Sequence, residues 1–344
     1  MTQTLSRRLF GTLTAAMIGA GIFTTPAIAE EELIFNVFIP RPAPLYKNAL
    51  EPWAREVEAA SKGTLKITIP TSSLAPPPKQ YDIVQDGVAD ISVAPLAFKR
   101  KKLGLDMLAA LPLISKTAKG ASVAAWDTHE KYIAQAGQWK DFVPLTLFTL
   151  GSPAILSNAD AITSKGDLSG FKILAVGKDK IGTWKNLGAT PVGGSGQKPF
   201  EVVSSGVADG ATNPLGTAVT QGLLEATKHV TLVPGGMGGR ATFAVFISRD
   251  RFDALPKEAQ DALTSTSGAK LAAKIGGIMD KIDASGLKKF KAKGIAIHQA
   301  DDAFVSDINE AGAFIEASWK KSAAKAGIDA DAALAHFKNA ASSQ

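Results

Sequence analysis

Between Leu33 and Ala94 the chain changes its hydrophobic period again and again, and this alternation limits the possible folds more than any other feature. Leu33 to Ile39 is a mostly apolar run, as a buried strand requires. Pro40, Pro42 and Pro44 then impose an extended turn. Tyr46, Ala49, Leu50, Trp53, Val57 and Ala60 recur at helical spacing, giving a helix with one apolar face that Gly63 stops. Leu65, Ile67 and Ile69 alternate as a second strand. Pro76-Pro77-Pro78 is a stiff loop introducing a helix from Lys79 to Asp86; Gly87 ends it, and Asp90 to Ala94 reads as a third strand. Strand, helix, strand, helix, strand is the pattern of an α/β layer with parallel pairing.

The pattern returns further on. A helix-rich stretch runs from Ala118 to Gln138, and Phe142 to Leu150 is a strand broken by Gly151-Ser152-Pro153. A short strand, Ala154 to Ser157, follows, and the first crossing between domains is placed at this break. A second α/β unit opens with Phe171 to Val176. It continues through a helix near Lys178 to Leu187, the segment Thr190 to Val192, a helix near Pro199 to Gly206, and a strand His229 to Val233. The run Gly235 to Gly239 is a link, and Thr242 to Ser248 reads as the return crossing. From Pro256 to Lys291 the pattern is mainly helical, Ile295 to His298 is a last short strand, and helices from Asp301 onward wrap the outside. Two α/β lobes joined by more than one crossing leave a cleft, and open parallel sheets bind ligands at the carboxyl ends of their strands.

With 344 residues, 45% of them hydrophobic and 20% charged, the chain has apolar surface for a real core. The formal charge of +6 is spread out, with one dense run at Lys99 to Lys102, and only 7% of residues are aromatic. No basic stripe with interleaved aromatics marks a nucleic-acid partner, while a mild positive field would help an anionic solute arrive. The chain has no cysteine, which excludes disulfides, thiolate metal sites and cysteine nucleophiles.

The first 29 residues read as an address. Ser6-Arg7-Arg8-Leu9-Phe10 opens it, a weakly apolar stretch from Leu13 to Phe23 follows, and Ala27-Ile28-Ala29 supplies the small residues a signal peptidase reads. The paired arginines resemble a twin-arginine signal, and an ordinary Sec signal carrying two arginines is the alternative. The expected mature chain begins near Glu30, and loss of Arg7 and Arg8 takes the formal charge from +6 to about +4.

No catalytic constellation emerges. His129, His229, His298 and His336 are scattered without metal-ligand spacing and read as surface or packing residues. Gly193-Gly194-Ser195-Gly196 lacks a Walker lysine and misses the nucleophile-elbow spacing. Gly236-Met237-Gly238 precedes a strand, which a dinucleotide fingerprint does not. No cofactor is implied.

Several stretches resemble the solute-binding proteins of tripartite ATP-independent periplasmic (TRAP) transporters, the group often labelled C4-dicarboxylate type. In the first half these are Pro52-Trp53-Ala54-Arg55-Glu56-Val57-Glu58, Ser61 to Ile67, and Gln80 to Ile91. In the second half they are Asp167-Leu168-Ser169-Gly170-Phe171-Lys172-Ile173, Gly188-Ala189-Thr190-Pro191-Val192, Gly206 to Gly210 with Asn213-Pro214-Leu215, and Phe252 to Pro256. Each is weak alone; the ordered set spans roughly residues 33 to 325.

The resemblance implies a two-lobed α/β fold like that of periplasmic binding proteins, type II-like, with an interlobe ligand cleft and long C-terminal helices. Its lobe I is expected over 30–150 and 239–278, lobe II over 151–238 and 279–325, and a C-terminal helical tail over 326–344. It implies a monomeric periplasmic receptor that performs no chemistry. Such a receptor captures a small organic solute, usually an acid, by hinge closure and delivers it to a membrane permease.

The family usually carries a ligand-gripping arginine directly after the "G-x-K-I" motif, where this chain has Leu174, and a second where it has Pro153. Two readings follow: a neutral, weakly acidic or apolar ligand with Leu174 as pocket wall, or Arg240 as a replacement clamp, since a guanidinium fork suits carboxylates. Against these stand a surface arginine and a core leucine. Asn213 is the strongest single pocket candidate, because an amide both donates and accepts; a turn role before Pro214 is its alternative. Trp184, Phe98, Tyr81 and Pro78 complete the candidates, a helical tryptophan being more often core. Rival functions are a secreted α/β hydrolase or lyase and a sensory co-receptor.

Overall fold

The computed structural model describes residues 30–194, 196 and 198–343. The leader, with Arg7, Arg8 and Ala29, and Ser195 of the glycine loop lie outside the described residues. In chain order the first elements are β1 (Glu31–Asn36), α1 (Glu51–Ala60), β2 (Leu65–Thr68), α2 (Gln80–Gln85), β3 (Ile91–Pro95), α3 (Arg100–Leu103), α4 (Ala118–Thr128) and β4 (Phe142–Thr149). Next come β5 (Pro153–Ser157), β6 (Lys172–Leu174), α5 (Lys178–Leu187), β7 (Thr190–Val192), α6 (Pro199–Ser204), β8 (Gly210–Pro214), α7 (Leu215–Thr220) and β9 (His229–Leu232). The last are β10 (Thr242–Ser248), α8 (Arg249–Ala254), α9 (Lys257–Ser265), α10 (Gly268–Ala292), β11 (Ala296–Gln299), α11 (Asp302–Lys325) and α12 (Ala330–Ser342).

Two sheets organise these elements. The first has the order β2-β1-β3-β10-β4 and the second β11-β9-β5-β8-β6-β7. β1 lies parallel to β2 and β3, with Leu33 opposite Ile67 and Phe35 opposite Ile91. β10 enters antiparallel between β3 and β4, after the chain has built most of the second sheet. In that sheet β5 runs antiparallel to β8 and β9, while β6 runs parallel to β7 and β8. Consequently β1, β3 and β4 end on one edge of the first sheet, and β6, β7 and β8 on one edge of the second. Residues 150–152 and 233–241 cross between the sheets.

The inner strands of each sheet are buried on both faces, as their apolar runs require, and the edge strands β2, β7 and β11 are partly exposed. Neighbouring side chains go to opposite sides: Phe35 packs in one cluster of the first lobe with Trp53 and Val93, and Ile34 lies against the other, which holds Tyr81 and Phe246. Trp53 is fully buried and meets the Phe35 ring edge-on, with centroids 5.4 Å apart. In the second lobe Ile155 and Ile173 face the cluster under α5, and Leu156 and Leu174 face the one under α6 and α7.

The long helices tie the lobes together. α10 packs against α4 and β4 of the first lobe and α7 of the second. α11 puts Phe304, Ile308 and Ala311 into the second lobe's core and Ile315 and Trp319 into the first's, where the Trp319 indole donates to the Leu105 carbonyl at 2.9 Å. The segment expected to be a C-terminal tail over 326–344 is instead part of the first lobe: Phe337 and Leu334 are buried there as α12 packs on α4. The helical stretch read from Ala118 to Gln138 stops being an α-helix at Thr128 and continues as shorter turns to Ala136, before Gly137 reverses the chain at φ 64°. No helix among the described residues is long and apolar enough to cross a membrane.

Candidate functional site

The carboxyl edges of both sheets lie where the chain crosses between lobes. On the first lobe that edge is fixed by buried polar groups. The Asn36 amide at the end of β1 donates to Gln80 Oε1 at 2.6 Å, and the Ser92 hydroxyl of β3 donates to the same oxygen at 2.6 Å. Gln80 Nε2 donates to the Ala75 carbonyl at 2.9 Å, and the Leu74 N–H donates to Asn36 Oδ1 at 2.9 Å. Asn36, Gln80 and Ser92 are fully buried, so each must be satisfied internally. Together they hold the proline loop 69–78 in one shape. Pro78 is exposed on this loop, and Phe98 is half-buried in the turn after β3.

The facing edge of the second lobe brings three of the sequence candidates together. β5, β8 and β6 are neighbours, and at their ends stand Pro153 opposite Pro214, Asn213 opposite Ala154, and Leu174 beside Ala211. Asn213 is half-buried, and its Nδ2 donates to Gln221 Oε1 at 2.8 Å. Gln221 Nε2 donates in turn to the Gly196 carbonyl at 3.4 Å, tying β8 to the glycine loop. Leu174 is buried beneath that loop; a Cβ on Gly194 would lie 2.9 Å from its Cδ1, so a side chain there would have to push the leucine methyl aside. The lips of the two edges are apolar and open, with Leu74 46% exposed on the first lobe and Val176 49% exposed on the second.

Other candidates fall elsewhere. Tyr81 is fully buried in the first lobe, stacked on Phe246 with centroids 4.4 Å apart, so the strand–helix packing claims it as core. Trp184 is 1% exposed in the core under α5 and is likewise a packing residue. The second reading of Arg240, as a replacement clamp, also gives way. Arg240 is 2% exposed, and its Nε donates to Ser115 Oγ at 3.0 Å, its Nη1 to the Leu150 carbonyl at 3.3 Å and its Nη2 to the Lys116 carbonyl at 2.9 Å. Its own N–H bonds the Ala109 carbonyl at 2.6 Å. Arg240 thus pins the crossing segments to one another. Burial lowers its pKa, opposed by Asp280 and Asp283.

Both aspartates project from α10. Asp280 accepts the N–H groups of Ala118 and Lys119 at the start of α4, at 2.7 and 3.0 Å. Asp283 accepts the N–H of Gly216 at 3.0 Å and that of Ser152 in the crossing. Burial pushes the Asp283 carboxyl up to about 6. Its carboxylate fills the space a side chain on Gly151 would need, an added Cβ there lying 1.6 Å from Oδ2.

Sequence reading missed four features. Asn36 and Gln80 were legible as polar residues punctuating apolar elements. Asp280 and Asp283 recur at helical spacing on α10, but their targets lie in other elements. Arg100 of the first lobe and Asp179 in the first turn of α5 form an ion pair between the lobes. His229 Nδ1 and His298 Nε2 lie 3.1 Å apart on β9 and β11, at the outer side of the sheet.

Comparison with known proteins gives a consistent pattern. The model of bacterial extracellular solute-binding protein, family 7, matches residues 35–325. A Comamonas testosteroni protein described as outer membrane transporter protein TsaT is 28% identical over 94% of this chain and 96% of its own length. A TRAP periplasmic solute-binding protein of Bordetella bronchiseptica, solved with bound (R)- and (S)-mandelate, is 31% identical and superposes with a TM-score of 0.84 over 91% of this chain and 99% of its own. A marine-metagenome TRAP protein described as specific for aromatic acid ligands, solved with metahydroxyphenylacetate, is 27% identical with a TM-score of 0.81, over 91% of this chain and 99% of its own.

Proposed function

The chain belongs to the bacterial extracellular solute-binding protein family 7, and we propose that its solute is an aromatic monocarboxylic acid. It is a TRAP-type solute receptor, a class that works with membrane permease components. The observation that carries the ligand class is its likeness to the mandelate-bound Bordetella protein. The edge chemistry agrees with this choice. Leu174 and Pro153 stand where dicarboxylate-type relatives are expected to present arginines, and Leu74 and Val176 offer apolar lips for a ring. Asn213 and Gln221 supply neutral amides that bind a hydroxyl or carboxyl oxygen.

Lobe I comprises the first sheet with its returning strand β10, and lobe II the second sheet. The ligand sits between their carboxyl edges, and contacts available from both lobes only when they approach favour a closed state. The ligand leaves chemically unchanged, so the protein is not an enzyme. The leader exports the chain, is removed near Ala29, and the receptor acts in the periplasm.

A calorimetric panel tests the ligand class. Mandelate and metahydroxyphenylacetate are expected to bind the mature protein and be recovered intact, while succinate and glucuronate leave no heat. Binding of succinate or glucuronate with silence from both aromatic acids would overturn it.

A further inference from the structure

Resting on the reading of the chain as an aromatic-acid receptor, we propose that Lys180 supplies the positive charge that holds the ligand's carboxylate, in place of the arginine missing at Leu174.

Lys180 lies in the first turn of α5, which starts just beyond the carboxyl end of β6. Thr183, Trp184 and Leu187 form the buried stripe of this helix, and Lys180 falls at the same helical phase, three, four and seven residues before them. The lysine is partly buried with them, on the face turned to the sheet. Helical side chains lean toward the N-terminus, so a long one in the first turn reaches over the strand ends. That turn also borders the other lobe, since the adjacent Asp179 pairs with Arg100 of lobe I. Leu174 faces the opposite side of the sheet, and Lys180 approaches the same edge from above.

Among the described residues the Lys180 ammonium has no partner. Lys79, Lys99, Lys102, Lys165, Lys172 and Lys198 all find carboxylates. For Lys180 burial alone acts on the pKa, pulling it below that of an ordinary lysine, and no acidic group offsets the loss of water. A half-buried ammonium lacking an anion is costly in the free protein. An incoming carboxylate removes that cost and gains a charge-assisted hydrogen bond. A neighbouring open turn adds donors, because Gly177 at the N-cap has no side chain to satisfy the first N–H groups of α5.

The test compares mandelate with its uncharged amide, mandelamide, on wild type, Lys180→Gln and Lys180→Arg. Lys180→Gln is expected to weaken mandelate about 10-fold or more and mandelamide far less, because the amide accepts only an ordinary hydrogen bond where the acid also uses the charge. Lys180→Arg retains acid preference. The apo melting temperature of Lys180→Gln does not fall, since the lysine contributes no internal pair. Mandelate bound equally by wild type and Lys180→Gln overturns the proposal and leaves the receptor reading standing. Silence of wild type toward both aromatic acids retires the aromatic-acid reading instead. Lys180 is then read directly by NMR of the 13C-methylated protein titrated with acetate; a Lys180 signal that moves at lower acetate than the exposed lysines supports the assignment, and one that does not overturns it.

Discussion

Arg240 and Lys180 are both cations withdrawn from water near the boundary between the lobes, and their surroundings differ completely. Arg240 makes three side-chain hydrogen bonds to groups 90 to 125 residues away in sequence, with Asp280 and Asp283 close enough to act on its charge. Lys180 has no acceptor among the described residues, and its carboxylate neighbour Asp179 pairs with Arg100 instead. A buried charge with its partners in place is architecture, whereas one without them is poised for a partner that arrives from outside. The same contrast separates the two cleft edges. The Asn36–Gln80–Ser92 network closes on itself, while the edge around Leu174 ends in glycine backbone and the Asn213–Gln221 amide pair.

The largest expected effect breaks the Arg240 side of this contrast. Arg240→Ala leaves the Leu150 and Lys116 carbonyls without their donor and two aspartates without their cation, a loss of about 3–5 kcal/mol by analogy with other buried charge networks. Urea unfolding should show that loss, and Arg240→Lys should recover only part of it, because an ammonium cannot reach three acceptors in one plane. A stably folded Arg240→Ala protein that loses only its affinity for acids would restore the clamp reading and erase the contrast.

A smaller effect concerns Asp283. Its carboxyl titrates at about 6 in the folded protein against 3.8 for an unperturbed aspartate, with burial as the leading cause. Between these values the folded state holds a proton that the unfolded chain has released. Stability therefore declines as pH rises from 4 through 6, and above that the ionised carboxylate leaves a cost of about 3 kcal/mol. Unfolding free energies measured across this window should fall more steeply for wild type than for Asp283→Asn. Parallel curves would show that Asp283 is not held above its ordinary range.

Much of the scaffold could be read from the chain because it is written in local periods. The alternation from Leu33 to Ala94 and the β-prone run from Thr242 to Ser248 correspond to strands of one sheet. Motif order singled out Asn213, Pro153 and Leu174 one by one, and the strand pairing of β5, β8 and β6 brings them to one edge. What escaped depends on contacts distant in sequence. Nothing near Arg240 announces Ser115, Lys116 and Leu150 as its acceptors, and nothing in α12 announces that Phe337 fills the first lobe. Tyr81 and Trp184 look like pocket aromatics until the packing around them is seen. Lys180 was within reach: its phase relative to Trp184 and Leu187 already places a charge on an apolar stripe.

Distance measurement between the lobes tests the account most directly. The chain has no cysteine, so Lys62→Cys on lobe I and Lys185→Cys on lobe II, both exposed, give a unique pair of spin-label sites. Saturating mandelate should shift their separation to a single narrower distribution at shorter distance, as two lobes engage one ligand. An unchanged distribution with mandelate demonstrably bound would contradict capture between the lobes.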